Sequence, residues 1–222
     1  MSGNAEALIL DFGGVVTRTM FETHDATEKA LGLEPGTLTW RGPFAPESDP
    51  LWRSMQAEQI TEREYWQTRS KEVGDLLGKN WTAMSDLVKA ARGNAPQDII
   101  RPEAITAIQT AKAAGRPLAI LSNELDLFYG EDFREKLPLL DEFDVIVDAT
   151  HTKVLKPDPM AYRTCLDQLD LEAQQCVFVD DQSRNVVGAE AVGLKTVRFD
   201  VAEPKESYTK ALQLMGLEWP DE

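Results

Sequence analysis

Residues 7–17 read Ala-Leu-Ile-Leu-Asp-Phe-Gly-Gly-Val-Val-Thr, and the fold is decided by how that stretch ends. An apolar strand (Leu8, Ile9, Leu10) runs directly into a carboxylate, Asp11, and then into two glycines. Glycine lets the backbone turn sharply and approach a ligand, because no Cβ intervenes. One acid at the end of a rigid strand, beside bare amides and carbonyls, suits a nucleophile or a metal ligand. An apolar run ending in Asp and Gly is also how many strands enter a turn. The stretch gains its meaning from residues further along the chain.

Downstream of Pro102 the pattern alternates. A helix is predicted over 102–114, with Pro near its start and Gly115 after its end. Strand 118–121 ends in Ser122-Asn123, and a helix over 123–136 precedes strand 144–147. Val154-Leu155-Lys156-Pro157-Asp158 opens a helix to Leu169, strand 176–179 ends in Asp180-Asp181, and helix 184–192 stops at Gly193 before strand 194–199. Alternating elements with unbroken apolar strands imply an α/β fold, a parallel sheet with helices on both faces. Between 18 and 93 the grammar is helical only: 21–31 up to Gly32, a Gly/Pro-rich loop, a helix from the Thr61-Glu62-Arg63-Glu64 capping box to Leu77, and one over 82–92. The expected organisation is an α/β core of residues 1–17 and 94–222 interrupted by a helical insert, 18–93, which holds Trp40, Trp52, Trp66 and Trp81.

Composition narrows the class. With 222 residues, 42% hydrophobic and 27% charged, the chain has the make-up of a globular protein. No apolar run nears the roughly 18 residues of a membrane span, and the first residues lack the pattern of a secretion signal. Cys165 and Cys176 are the two cysteines, so no disulfide framework is expected and a cytoplasmic location is the simplest reading. A net charge of −15, from 23 basic against 38 acidic side chains, argues against nucleic-acid or anionic-membrane partners. A chain this acidic that handles an anionic substrate must concentrate its cations locally.

In open α/β sheets ligands bind beyond the carboxyl ends of the strands, where Asp11, Ser122 and Asp180-Asp181 all fall. Three carboxylates brought together repel one another unless a cation sits among them. Oxygen ligands of this kind suit Mg²⁺, which keeps waters and takes one or two carboxylates plus a substrate phosphate. Ser122 offers a hydroxyl and Lys156 a point charge to such an anion. Lys153 competes for that part, but only Lys156 precedes a proline.

Asp11-Phe-Gly-Gly-Val, Leu-Ser122-Asn123, Lys156-Pro-Asp and Val-Asp180-Asp181 with Asn185 resemble the four ordered motifs of the haloacid dehalogenase-like hydrolase superfamily. The insert resembles that family's helical (C1) cap. The resemblance implies a phosphohydrolase of small phosphorylated metabolites, of the sugar phosphate type, in which Asp11 attacks phosphorus and forms an aspartyl-phosphate. Mg²⁺ would be held by Asp11, the Gly13 carbonyl and Asp181, with Asp180 acting directly or through water and Asn185 supporting the ligands from outside. Ser122, Asn123 and Lys156 would hold the phosphoryl group, and Lys156 would also offset the charge on Asp11.

One position departs from the family pattern. Phosphatases of this kind usually carry a second Asp two residues after the nucleophile, as acid for the leaving group, and here that residue is Gly13. Either the leaving group needs little help, as with an anomeric, acyl or aryl phosphate, or another group supplies the proton, or turnover has been lost; the first is the expected case. His24 and His151 are the residues that could replace the acid, though both read more simply as surface polar groups. Two other functions stay open: 2-haloacid dehalogenation, which needs no metal, and a weakly catalytic phosphate-binding module.

Overall fold

The computed structural model describes residues 3–92 and 96–220. The chain forms two compact units, one made of Met1–Arg18, Gln97–Leu125 and Leu137–Glu222, the other of Thr19–Pro96 and Asp126–Lys136. The boundary expected at 93–94 lies outside the described residues. In chain order the regular elements are β1 (Ala7–Leu10), α1 (His24–Leu31), α2 (Pro50–Gln56), α3 (Glu62–Leu76), α4 (Met84–Arg92), α5 (Pro102–Ala113), β2 (Leu118–Ser122) and α6 (Leu125–Tyr129). They continue with β3 (Val145–Asp148), α7 (Ala149–Thr152), α8 (Pro159–Leu169), β4 (Cys176–Asp180), α9 (Ser183–Val192), β5 (Lys195–Arg198) and α10 (Pro204–Leu214).

The first unit is built on a five-stranded sheet in the order β3-β2-β1-β4-β5, all pairs parallel. Every residue of β1, β2 and β4 is buried, which is why these strands are apolar without alternation. On one face Ile9, Ala119, Leu121 and Phe178 pack with Tyr162 and Cys165 of α8 and Ala189 of α9. The other face is covered by α5 and α10, which pack on each other and on β2 and β4. Burying a side chain the size of Phe178 contributes about 1.5–3 kcal/mol, so the central strands fix the sheet's register firmly. After β1 the chain crosses to β2 and β3 on one side and to β4 and β5 on the other. The switch between the two directions falls at β1 and β4, whose ends carry Asp11 and Asp180.

The second unit is helical. Its core is aromatic: Phe21 packs edge-on against Trp40 (5.7 Å between ring centroids) and Trp52 (5.2 Å), and Tyr65 against Trp66 (5.0 Å). Asp49 is fully buried in this unit and accepts from Arg69 (2.6 Å), Tyr65 Oη (2.8 Å), the Trp52 amide (2.9 Å) and the Gly42 amide (3.3 Å). The capping box forms as expected: Glu64 accepts from the Thr61 amide at 2.7 Å, and the Glu64 amide donates to Thr61 Oγ1 at 3.2 Å.

Several elements differ from expectation. The helix predicted over 123–136 is only the short α6, because Gly130 takes a left-handed φ of 91° and the chain goes on in a 3₁₀ turn over Glu131–Lys136. Residues Asp126–Lys136 group with the helical unit. The first helix starts at His24, three residues later than its pattern suggests. The Pro-rich loop holds α2, started by Pro50 and capped by the Asp49 side chain. The C-terminal α10 carries no expectation from sequence. Lys156 lies in the loop before α8, whose helical residues begin at Pro159, and does not sit at the helix start.

Candidate active site

Asp11 leaves β1 with its amide donating to the Val179 carbonyl at 2.9 Å, which places it beside Asp180 at the end of β4. The chain then makes one wide turn over Phe12–Val16, closed by the Thr17 amide on the Phe12 carbonyl at 3.0 Å. Gly14 has φ 83°, a conformation that needs glycine, whereas Gly13 (φ −70°, ψ 120°) has ordinary extended geometry and is exposed. The Gly14 amide faces Thr17 Oγ1 at 3.4 Å. In a trans peptide the preceding carbonyl points the opposite way, so the Gly13 oxygen turns away from Thr17.

Lys156 joins the acids. Its Nζ donates to Asp11 Oδ1 at 2.8 Å and to Asp180 Oδ2 at 2.7 Å, with the amine almost wholly out of solvent. Burial by itself would lower the ammonium's pKa. The charges of Asp11 and Asp180 and the hydrogen bonds to both outweigh that, and the net shift is upward. Breaking such a buried set by removing one partner costs about 3–5 kcal/mol, because it leaves an uncompensated buried charge. Lys153, by contrast, is exposed and its Nζ donates to the Thr150 carbonyl.

Two residues hold the triad. Asn123 brackets the Lys156 backbone, its Nδ2 donating to the carbonyl at 3.1 Å and its Oδ1 accepting from the amide at 2.7 Å. Asn185 donates to both oxygens of Asp180 (3.1 and 3.0 Å), and the Gln182 amide adds 2.8 Å to Oδ1. Tyr162 Oη fixes the Asn185 carbonyl at 2.7 Å. Gly188 lets α9 come close: a Cβ there would sit 2.7 Å from Pro157 Cβ and 2.9 Å from Tyr162 Oη. Ser122, buried at the end of β2, accepts from the Glu124 amide at 3.3 Å.

Asp11, Asp180 and Asp181 offer one oxygen each, all within 4.8 Å of one another. This hard, all-oxygen set fits a divalent cation such as Mg²⁺. Asn185 Oδ1 is a buried acceptor that no donor of the described residues reaches, on the side of the amide opposite the Nδ2 that meets Asp180. Both oxygens of Asp180 are already engaged by Lys156, Asn185 and Gln182, which makes Asp180 chiefly the anchor of Lys156. Sequence reading thus named Asp11, Gly13, Ser122, Asn123, Lys156, Asp180, Asp181 and Asn185, all in the first unit. It missed Tyr162 and Arg101, whose Nε and Nη2 both donate to the Gly14 carbonyl at 3.1 and 3.0 Å. Neither carries a local signal, since each works on a segment far away in sequence.

The two histidines that could replace the missing acid sit in different surroundings. His24 is not a surface group as expected but is 2% exposed in the helical unit, its Nδ1 taking Arg41 Nη1 at 2.8 Å and its ring 4.3 Å from Trp40. Burial, then the Arg41 charge, pulls its pKa down to about 4, so it is neutral at pH 7. His151 is exposed and 3.9 Å from Asp148. Cys165 and Cys176 are buried and unbridged, and burial pushes both thiols up to about 12.

The family model for haloacid dehalogenase-like hydrolases matches residues 5–193. The chain belongs to that family. Among its relatives is the mouse protein called acyl-CoA dehydrogenase family member 10, 34% identical over 93% of this chain, which spans only 19% of the mouse protein. (S)-2-haloacid dehalogenase 1 of Pseudomonas sp. (strain CBS-3) is 27% identical over 78% of this chain and 79% of its own. The ribulose-1,5-bisphosphate 5-phosphatase of Halopiger xanaduensis is 31% identical over 50% of this chain and 46% of its own. The haloacid dehalogenase-like relatives therefore divide between carbon–halogen and phosphate-ester chemistry. No helix among the described residues is long and apolar enough to cross a membrane.

Proposed function

We propose that this family member is a Mg²⁺-dependent phosphohydrolase of small phosphorylated metabolites, of the sugar phosphate type. The observation that carries the reading is the carboxylate pair at the end of β4, with Asp180 and Asp181 each having an oxygen within 4.8 Å of one on Asp11. Asp11, the Gly13 carbonyl and Asp181 would hold the ion. Bound there, Mg²⁺ supplies Lewis-acid charge to the phosphoryl oxygens. Asp11 attacks phosphorus as the P–O bond to the substrate's leaving oxygen breaks, giving an aspartyl-phosphate and the freed leaving group, which takes its proton from water. Lys156, Ser122 and the Asn123 amide take the phosphoryl oxygens. Water then attacks the acyl-phosphate and releases phosphate. The helical unit, whose larger part, Thr19–Pro96, is inserted between the first and second motifs and whose remainder, Asp126–Lys136, follows the second, takes the part of the family's cap. The two buried, unbridged thiols suit a reducing, cytoplasmic setting.

Gly13 narrows the substrate. A positioned acid is worth roughly 10²–10⁴-fold, and a glycine provides none. Leaving groups that depart with little protonation, such as anomeric, acyl or aryl phosphates, are the class this site serves. A dehalogenase reading has the Pseudomonas relative in its favour. Against it stands Asp181, which brings a further carboxylate oxygen within 4.8 Å of those of Asp11 and Asp180 and which metal-independent attack on carbon does not require. A phosphate-binding module without turnover is favoured by Gly13 alone. Turnover of a phosphate-ester panel and chloride release from 2-chloropropionate, each with and without Mg²⁺, separate the three. Chelator-sensitive phosphate release is expected; chloride release without metal, or beryllofluoride binding with no turnover on any ester, would overturn the reading.

A further inference from the structure

The turn that follows the nucleophile is pinned by a residue far along the chain. Arg101 immediately precedes α5 and is 3% exposed, with its guanidinium 5.5 Å from the Phe199 ring centroid. Two of its donors close on one acceptor, the Gly14 carbonyl, at 3.1 and 3.0 Å. Its backbone grips the same segment, the Arg101 amide donating to the Val16 carbonyl at 3.0 Å. Thr17 and Ile100 form an antiparallel bridge, and the Arg18 amide donates to the Ile99 carbonyl at 2.7 Å. The segment leaving the nucleophile is thus zipped to the segment carrying Arg101.

We infer that Arg101 is a positioning residue that aims the Gly13 carbonyl at the cation site. Gly14 (φ 83°) is the joint between two peptide planes, one bearing the Gly13 oxygen and one bearing the Gly14 oxygen. The two-donor clamp fixes the second plane, and the Gly14 amide facing Thr17 Oγ1 at 3.4 Å holds the first. Together the two anchors restrict a glycine joint that would otherwise rotate freely and let the Gly13 oxygen wander. Tyr208 Oη also touches the turn, at the Val15 carbonyl (3.1 Å), but it holds the plane one step further from Gly13. Outer partners that orient a metal's ligands typically control 10–100-fold in metal affinity.

This inference rests on the metal-site reading above, and the test separates the two. Mn²⁺ serves as the probe, its free concentration followed by electron paramagnetic resonance, on the full chain as wild type, Arg101→Met, Arg101→Lys and Tyr208→Phe. Hydrogen exchange over residues 11–18 is measured on the same samples. Arg101→Met is expected to speed exchange in that segment and weaken Mn²⁺ binding by about tenfold or more, with Arg101→Lys recovering part and Tyr208→Phe leaving affinity within about twofold. If Arg101→Met does not fold, Arg101→Lys against wild type carries the comparison. Wild-type affinity retained in the Arg101 variants, or an equal loss in Tyr208→Phe, overturns the inference alone. No Mn²⁺ binding by the wild type overturns it together with the metal-site reading.

Discussion

The side chain of Asn123 holds the backbone of Lys156 from both sides, its Nδ2 3.1 Å from the carbonyl and its Oδ1 2.7 Å from the amide. A residue at the end of one strand thereby sets the position of an amine delivered by a loop 33 residues on. That amine in turn bridges Asp11 and Asp180. Asn123→Ala removes both bonds and leaves two buried backbone groups unpaired, at a cost of about 1–3 kcal/mol each. Turnover should fall by about 10–100-fold while substrate KM changes less, because the amine is displaced from the charge it stabilises. Steady-state kinetics and thermal unfolding on one preparation check both numbers; unchanged kcat would show that Lys156 finds its place without Asn123.

Gly13 is exposed and has a backbone geometry that any residue adopts, so Gly13→Asp should fold without strain. Restoring a carboxylic acid two residues after Asp11 should raise turnover most on alkyl phosphates, by up to about 10²-fold, and least on aryl phosphates. A rate series over esters of graded leaving-group basicity reads the difference. Equal gains across the series would mean that proton donation is not what Gly13 lacks.

His24 makes stability depend on pH in a definite direction. Unfolded, the imidazole binds a proton near pH 6.5; folded, only near 4. Between those values the unfolded state holds more protons, so stability is complete above 6.5 and falls as pH drops towards 4, by up to about 3 kcal/mol. His24→Gln, which still presents an acceptor to Arg41, should flatten that loss. Urea unfolding at pH 7 and pH 4.5 measures it, and an unchanged slope in the variant would assign the acid sensitivity elsewhere.

Asp49 is the electrostatic centre of the helical unit, with Arg69 at 2.6 Å and Tyr65 Oη at 2.8 Å. Asp49→Ala leaves the guanidinium to Glu72 alone (2.7 Å), strips the acceptor from Tyr65 Oη and two backbone amides, and should destabilise by about 3–5 kcal/mol. Asn in its place keeps the shape but not the charge and should fall between. Urea midpoints of the two variants against wild type decide the order.

The candidate set was legible in sequence because each member sits where a local signal changes: an apolar run stops and an acid, a hydroxyl or a Lys-Pro pair begins. Strand ends in a parallel sheet are brought together by topology, so order along the chain sufficed to group Asp11, Ser122 and Asp180. The residues that stayed hidden depend on long-range partners. Arg101 looked like the plain residue before a helix-starting proline, since its acceptor is 87 residues away. His24 reads as polar surface until Trp40 and Arg41 fold over it. The helix expected over 123–136 carries a glycine in its middle, and the left-handed Gly130 ended it.

Acid quenching during steady-state turnover of an aryl phosphate with Mg²⁺, followed by mass spectrometry of the peptide carrying Asp11, addresses the chemistry at its source. A phosphoryl adduct on Asp11, absent when Mg²⁺ is chelated and absent in Asp11→Asn, is the predicted result. Turnover that leaves Asp11 unmodified, or that persists in Asp11→Asn, would contradict it.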